Sequence, residues 1–385
     1  MFKTTRSALK YVPLIQREYG LKYGPTLLRF LQLTLLDGFS AKEVCRYGML
    51  DPEKTADPST VFMPGAKFKE ILYKLNDPNC WWMSFDKVSF GQVCAAYGLP
   101  APKVLAVIDY PYGWNSTGQV FKGSADVLRF LHEDLPNEFI VKPATGYHGR
   151  GVTLYKRLRN GFESATGTIL TDQALLDTMF QPTRYFDLSK ARAHGRPERI
   201  IIQERIRNHA DLIDLSRTEY LQTLRICTFL SKTGEVQVIP DAYFRAIGAD
   251  APTDNFVNGS TGNIACSVSI EDGRIKTALK SDDGLFLKKI ANHPKSGLKF
   301  SGFQIPYWRE TIDLVKRAAP LFWPLKSLGW DIAITQDGPM LTESNVTWDP
   351  IQNAYGAMNG IVRAFADVEP KIAESVTEAR LRRAA

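Results

Sequence analysis

An α+β fold is what this sequence predicts, and three observations predict it. Apolar residues recur at helical spacing through the first hundred positions, in Pro25 to Leu36, Phe68 to Leu75 and Asp86 to Tyr97. Beyond Pro102 the texture changes to short β-branched and aromatic runs separated by turn residues, the pattern of strands. Near the C-terminal end Asp337-Gly338 lies between two alternating apolar runs, a strong hairpin signal.

The elements follow in order. The third helix stops where Gly98 and Pro100 follow it. Loops are expected around Asp51 to Pro58 and Asn76 to Cys80. Strands are expected at Lys103 to Ile108, Glu138 to Pro143, Val152 to Lys156, Arg199 to Glu204, Leu221 to Leu230, Glu235 to Ala246 and in the closing hairpin. Helices intervene at Asp126 to Glu133, Thr171 to Phe180 and Pro306 to Ala319. Strands grouped this way imply at least two antiparallel sheets. There is no internal repeat and no low-complexity tract.

With 385 residues and 44% hydrophobic content the chain can bury a sizeable core in two or three packed subdomains. A net charge of +7 suits anionic small ligands but is modest for a dedicated nucleic-acid binder, so no nucleic-acid partner is expected. The densest basic stretch, Lys190 through Arg207, reads as a solvated face. Cys45, Cys80, Cys94, Cys227 and Cys266 are odd in number and form no CxxC pair, which argues for a reducing cytoplasm and against zinc or a disulfide framework. No segment approaches the roughly 18 apolar residues that span a bilayer. The basic N-terminus, with Lys3, Arg6, Lys10, Arg17 and Lys22 against Glu18, lacks a signal-peptide core; weak peripheral membrane contact is weighed against a helix packed on the protein body.

Two segments carry chemistry. In Lys142-Pro143-Ala144-Thr145-Gly146-Tyr147-His148-Gly149-Arg150-Gly151 a lysine closes one strand, glycines fill a loop and a β-branched run opens the next strand. Glycines let the backbone approach an anion, and Lys142 supplies a point charge. The lysine precedes the glycines and a strand follows them, which excludes a Walker loop, and the glycine spacing excludes a dinucleotide fingerprint. The second segment is the hairpin, where Asp331, Glu343 and Asn345 are oxygen donors suited to magnesium. A two-residue loop pairs Ile332 with Glu343 and turns Asp331 to the other face. A three-residue loop, Gln336 to Gly338 with Gly338 left-handed, pairs Asp331 with Glu343 and places Asn345 one diagonal away; this second register is the one expected.

The order of elements resembles the ATP-grasp superfamily from about Phe85 to Asn345. The resemblance is carried by Asp86-Lys87 before Tyr97-Gly98-Leu99-Pro100, by Val141-Lys142-Pro143 with its glycine loop, by Ile200-Ile201-Ile202-Gln203-Glu204, by an arginine strand and by the terminal Asp331 and Glu343-Ser344-Asn345. Finer details are similar to the sugar-transfer-associated branch: Tyr243-Phe244-Arg245, Asp254-Asn255-Phe256 with Asn258-Gly259, His293-Pro294, Ile305-Pro306-Tyr307-Trp308 and Gly329-Trp330-Asp331-Ile332.

What the resemblance implies is a nucleotide held between two α+β subdomains, 85–205 with the glycine loop and 206–385 with the metal site and a helical tail, behind a helical N-terminal region, 1–84. Lys87 and Lys142 become the nucleotide lysines, Gly146, Gly149 and Gly151 the loop over the triphosphate, and Glu204 with the backbone of Arg205 and Ile206 the adenine hinge. Asp211 becomes the ribose acid, with Asp214 as rival, and Asp331, Glu343 and Asn345 the magnesium ligands. Many ATP-grasp ligases carry an arginine two residues before the metal aspartate, and here that position is Gly329. Arg245, or secondarily Arg225, is the expected substitute. His148 and His293 are weighed as proton shuttles against structural roles.

The implied activity is a magnesium- and ATP-dependent carboxylate–amine ligase working through an acyl phosphate, in cell-surface polysaccharide or related biosynthesis. Its implied partners are ATP, a small carboxylate and an amine. A kinase acting on a hydroxyl and a non-catalytic nucleotide-binding module are the alternatives.

Overall fold

The computed structural model of the chain describes residues 2–54, 62–109, 112–146, 151–180, 199–231, 233–240, 242–248 and 253–349. His148, Gly149, residues 350–385, where the helical tail is expected to end the chain, and the basic residues Lys190, Arg192 and Arg196 lie outside them.

The chain opens with α1 (Phe2–Tyr19), α2 (Tyr23–Leu31), which runs on into a π-turn at Gln32–Leu36, and α3 (Ala41–Arg46). Ser40 and Glu43 cap α3 reciprocally, each satisfying a backbone N–H at its start. Val12, Ile15, Phe30, Leu33 and Val44 form a small core completed by Phe286 from far along the chain, so these helices dock on the body. The Glu18–Lys288 ion pair, 3.2 Å, lies at the same junction. Next come α4 (Gly65–Leu75), α5 (Trp82–Phe85) and α6 (Lys87–Ala96). The helical N-terminal region is present, and α6 starts and stops as its Asp86 cap and Gly98 require.

The first sheet holds β1 (Val104–Asp109), β2 (Tyr112–Asn115), β3 (Val120–Phe121), β4 (Glu138–Pro143), β5 (Thr153–Leu158), β6 (Gly161–Ser164), β7 (Ile169–Leu170) and β8 (Ile200–Glu204), in the order β3-β2-β1-β8-β4-β5-β6-β7. Helices α7 (Ser124–Glu133) and α8 (Asp172–Phe180) cover one face, where Phe130, Leu131 and Leu176 meet Ile108, Phe139 and Ile202. Strand alternation sends Ile140 and Lys142 to the opposite face.

After α9 (Ala210–Ser216) comes the second sheet, β9 (Thr223–Leu230), β10 (Val236–Val238), β11 (Ala242–Ala246), β12 (Ile264–Val268), β13 (Ile275–Lys280), β14 (Lys288–Ile290), β15 (Ser327–Thr335) and β16 (Gly338–Asn345). Its order is β14-β13-β12-β11-β9-β15-β16, with β10 beside β9, and every pairing in both sheets is antiparallel. The single strand expected over Glu235 to Ala246 is split. Its register against β9 shifts between Val238↔Thr228 and Tyr243↔Arg225, around Pro240, which has no N–H for the ladder.

The alternation of β9, β11 and β15 divides this sheet's residues between two environments. Leu224, Ile226, Phe244, Trp330 and Ile332 pack under α10 (Trp308–Ala318) through Leu314 and Val315. On the other face Cys227 and Phe229 meet Phe68 and Leu72 of α4 and the fully buried Trp348. Asn76, just after α4, fastens that layer. Its amide donates to Ser327 O at 2.8 Å and Val346 O at 2.9 Å, and its carbonyl accepts from Ser327 N–H at 2.9 Å.

Removing that side chain strands three buried backbone groups, each costing on the order of 1–3 kcal/mol unless water reaches it. Asn76→Ala is therefore expected to destabilise the protein by about 3 kcal/mol in chemical denaturation; a loss within about 0.5 kcal/mol, the ordinary surface range, contradicts the clasp.

Candidate functional site

The face of the first sheet that carries Ile140 and Lys142 meets residues 219–221 and the β15–β16 hairpin at a cleft of about 230 Å³. Its cationic end is built by the start of α6 and the glycine loop. Lys87 N–H donates to Ala144 O at 2.8 Å, and Ala144 N–H donates to Arg199 O at 2.7 Å. The Arg199 guanidinium pairs with Asp86, whose carboxylate also caps α6 through Val88 N–H and Ser89 N–H at 2.9 and 3.1 Å. This ring fixes Lys87, whose ammonium reaches Gly146 O at 3.2 Å and the Glu343 carboxylate at 3.9 Å. Gly151 closes the loop in a left-handed conformation, φ 74°, and a Cβ there would lie 3.0 Å from the Pro143 ring.

Lys142 enters the cleft from the end of β4. Burial first, and the like charge of Lys87 second, push its ammonium down from 10.5 to about 8, against the pull of Glu343. Two cations held this close favour an anionic ligand between them.

Along the floor, Ile140, Val152, Leu154, Ile206, Tyr220 and Leu221 make an apolar slot. At the end of β8 the Glu204 carboxylate accepts Lys103 N–H at 2.7 Å, and Glu204 N–H donates to Lys103 O at 3.0 Å. Arg205 and Ile206 follow outside the ladder and line the slot. Arg205's own side chain is engaged by Glu138 at 2.7 Å and Glu219 at 3.2 Å.

The acidic end is the β15–β16 hairpin. Thr335 pairs with Gly338, so its turn is the two residues Gln336 and Asp337, a correction to the expected three-residue loop. That turn alone would set Asp331 opposite Thr342. A bulge at Thr342 intervenes between the Ile332↔Leu341 and Asp331↔Glu343 pairs, and the Thr342 hydroxyl donates to Asp331 O at 3.0 Å. The expected Asp331↔Glu343 pair is present, produced by a tighter turn plus a bulge.

Asp331 is buried and doubly clasped. Arg225, its direct partner on β9, binds both carboxylate oxygens, and Arg245 on β11 reaches it at 2.9 Å. Arg245 also meets Asp254 at 3.2 Å and the Thr223 hydroxyl. Burial raises Asp331, but the two guanidiniums outweigh it and hold its carboxyl well below the ordinary range. Glu343 goes the other way: burial and the neighbouring Asp331 raise it, against Lys87 and Lys142. The Asn345 amide lies against the Glu343 carboxyl at 3.5 Å.

These donors fit magnesium in chemistry. All are hard oxygens, and Glu343 is a carboxyl raised by burial and Asp331, a shift that a cation beside it would reverse. Asp331 offers only the lone pairs its arginines leave, and among the described residues no cluster of three His, Cys, Asp or Glu side chains stands ready for a metal. Water and ligand oxygens must complete any shell.

The sequence profile of the family described as sugar-transfer associated ATP-grasp matches residues 68–361. The chain belongs to that family. Its fold is the ATP-grasp fold. No curated protein matches the chain. Among solved structures it is similar to D-alanyl-alanine synthetase A from Vibrio cholerae, with 11% identity over 79% of this chain and 67% of that one, TM-score 0.39. Carboxyaminoimidazole ribonucleotide synthase from Aspergillus clavatus complexed with ATP matches at 11% identity over 78% of this chain and 57% of that one, TM-score 0.39. N5-carboxyaminoimidazole ribonucleotide synthetase from Thermotoga maritima matches at 9% identity over 74% of this chain, TM-score 0.34, and the match spans only 48% of that chain's length.

In this ATP-grasp member the glycine two residues before Asp331 has a steric reason. A Cβ on Gly329 would sit 2.8 Å from the Trp348 Cβ and 3.2 Å from the Arg225 Cδ, so no arginine fits there and the guanidinium arrives from the neighbouring strand. Arg245 and Arg225, expected to stand in for the arginine missing at Gly329, direct their donors to Asp331, Asp254 and Thr223 and are not among the residues that line the cleft. Asp211 is also corrected. It lies in α9 with its side chain exposed, its N–H bonded to His209 Nδ1 at 3.2 Å, and away from the slot, while its rival Asp214 pairs with Arg217. Besides Glu204 and Glu343 the cleft is lined by a third carboxylate, Glu219, which no sequence motif marked. His293 is structural, its ring buried between Ile247 O at 3.2 Å and Lys295 N–H at 3.2 Å.

The lowered Lys142 has a consequence for stability. Between about 8 and 10.5 the unfolded chain binds a proton that the folded one does not, so this group makes stability rise with pH there, and its cost is fully present below pH 8. Lys142→Met is expected to raise Tm at neutral pH, the gain shrinking as pH approaches 10.5. Thermal melts across that range test it, and a lower Tm at neutral pH sinks it.

Proposed function

We propose that this ATP-grasp protein is an ADP-forming ligase that joins a carboxylate to an amine at the expense of ATP. One observation carries the reading: a pair of lysines, a glycine loop and the Glu343 hairpin converge on the mouth of an apolar slot. Adenine fits the slot between Ile140, Leu154 and Ile206, with its edge along the backbone of Arg205 and Ile206, and the triphosphate fits between Lys87 and Lys142. Glu343, Asn345 and the remaining lone pairs of Asp331 would hold magnesium, which when bound neutralises charge on the phosphates.

The chain's own groups do the rest. A substrate carboxylate oxygen attacks the γ-phosphorus, the bond to the β-phosphate oxygen breaks, and ADP leaves an acyl phosphate behind. An amine then attacks the acyl carbon, phosphate departs and the nitrogen loses a proton to give the amide. Lys87 and Lys142 offset the negative charge that moves onto the leaving oxygens, and the apolar walls keep water from the acyl phosphate. Arg225 and Arg245 act from beneath by fixing Asp331. The family's association with sugar transfer supports a substrate in cell-surface polysaccharide or related biosynthesis. Use of ATP and magnesium, with all five cysteines free, supports the cytoplasm as the place of action.

Purified protein given Mg-ATP with candidate acids and amines is expected to release ADP only when both are present. Lys142→Met should weaken ATP binding roughly tenfold or more. Glu343→Gln nearly conserves volume, so its melting should hardly change while turnover falls on the order of a hundredfold. A phosphorylated alcohol as product, or saturable ATP binding without turnover by any acid and amine pair, overturns the ligase reading.

A further inference from the structure

The N-terminal helices present an outward face that the cleft does not use. Residues 2–36 hold six cations, Lys3, Arg6, Lys10, Arg17, Lys22 and Arg29, against one acid, Glu18, a net of +5 beside +7 for the whole chain. The single acid is turned to the body by its pair with Lys288. The inner face of the hairpin is accounted for by the packing of Ala8, Val12, Ile15, Phe30 and Leu33. Arg6, Lys10 and Arg17, four and seven residues apart, form one exposed stripe of α1 with Leu9 beside them. On α2 and its π-turn Leu28, Leu35 and Leu36 are 72%, 59% and 76% exposed. With Leu9, at 66%, they are four of the five exposed leucines among the described residues. Exposed leucines are normal singly but not when gathered on one small hairpin between cations.

We infer that this hairpin is a peripheral membrane-docking surface for an anionic bilayer. Aliphatic side chains set among lysine and arginine match the boundary between acyl chains and acidic headgroups, where both kinds of group are satisfied together. A second copy of the chain is the poorer occupant, because two faces of the same strong positive charge repel. No helix among the described residues is long and apolar enough to cross a membrane, so the contact lies in the interface plane.

The test sediments the full-length chain with vesicles of phosphatidylcholine alone or mixed with phosphatidylglycerol, without nucleotide, so its failure leaves the cleft reading untouched. The protein is expected to pellet with the mixed vesicles, to stay in solution with phosphatidylcholine alone, and to be released by salt. Lys10→Glu with Arg17→Glu should abolish binding. Leu28→Ser with Leu35→Ser and Leu36→Ser should weaken it by roughly tenfold or more, with melting unchanged because these side chains are exposed. Equal binding to both vesicles, no binding, or indifference to both variants overturns the proposal, as does a dimer in sedimentation velocity that the leucine changes dissolve without vesicle binding.

Discussion

The buried Asp331 carboxylate, clasped by guanidiniums from two other strands, is the constraint on which the site depends. Arg225 and Arg245 bring two positive charges into the second sheet, and Asp331 with Asp254 supplies two negative ones, so the four compensate one another. A buried pair that lost one member would leave an uncompensated charge, a cost of several kcal/mol. The cluster ties together β9, β11 and β15 at the level where the hairpin faces the cleft. Its neutrality decides the character of what lies above. Burial and the neighbouring Asp331 raise the Glu343 carboxyl, and Lys87 and Lys142 face it across the cleft mouth.

The elements were legible where one physical signal dominated. Glu138–Pro143 appears as expected, because alternating apolar residues, a closing proline and a glycine run all mark the same boundary. Asp86 and Gly98 delimit α6 for the same reason. Short strands such as Val120–Phe121 and Ile169–Leu170 carry two residues each, too few for any periodicity to register. The split at Pro240 follows from a proline inside a strand pattern, where the missing N–H interrupts the ladder although the flanking residues favour strand.

The site was legible by residue type and less so by partner. Lys87, Lys142, Glu204, Arg205, Ile206 and Glu343 all reach one cleft. What single-chain patterns did not contain is the set of cross-strand neighbours. Nothing in Arg225 or Arg245 says that each will meet Asp331, a partner more than eighty residues away, nor that Trp348 will fill the space beside Gly329. The bulge at Thr342 is the clearest case: the turn is one residue shorter than its sequence predicts, and the inserted residue restores the Asp331↔Glu343 pairing.

Helix α6 belongs to both halves of the molecule. Val88 joins Val107 and Ile201 beneath the first sheet, while Phe90 and Cys94 join the core that holds Trp330 in the second. A helix packed into two cores at once cannot shift without disturbing both. Lys87 is its first residue, so the ammonium is anchored by the packing of both sheets together and by neither alone.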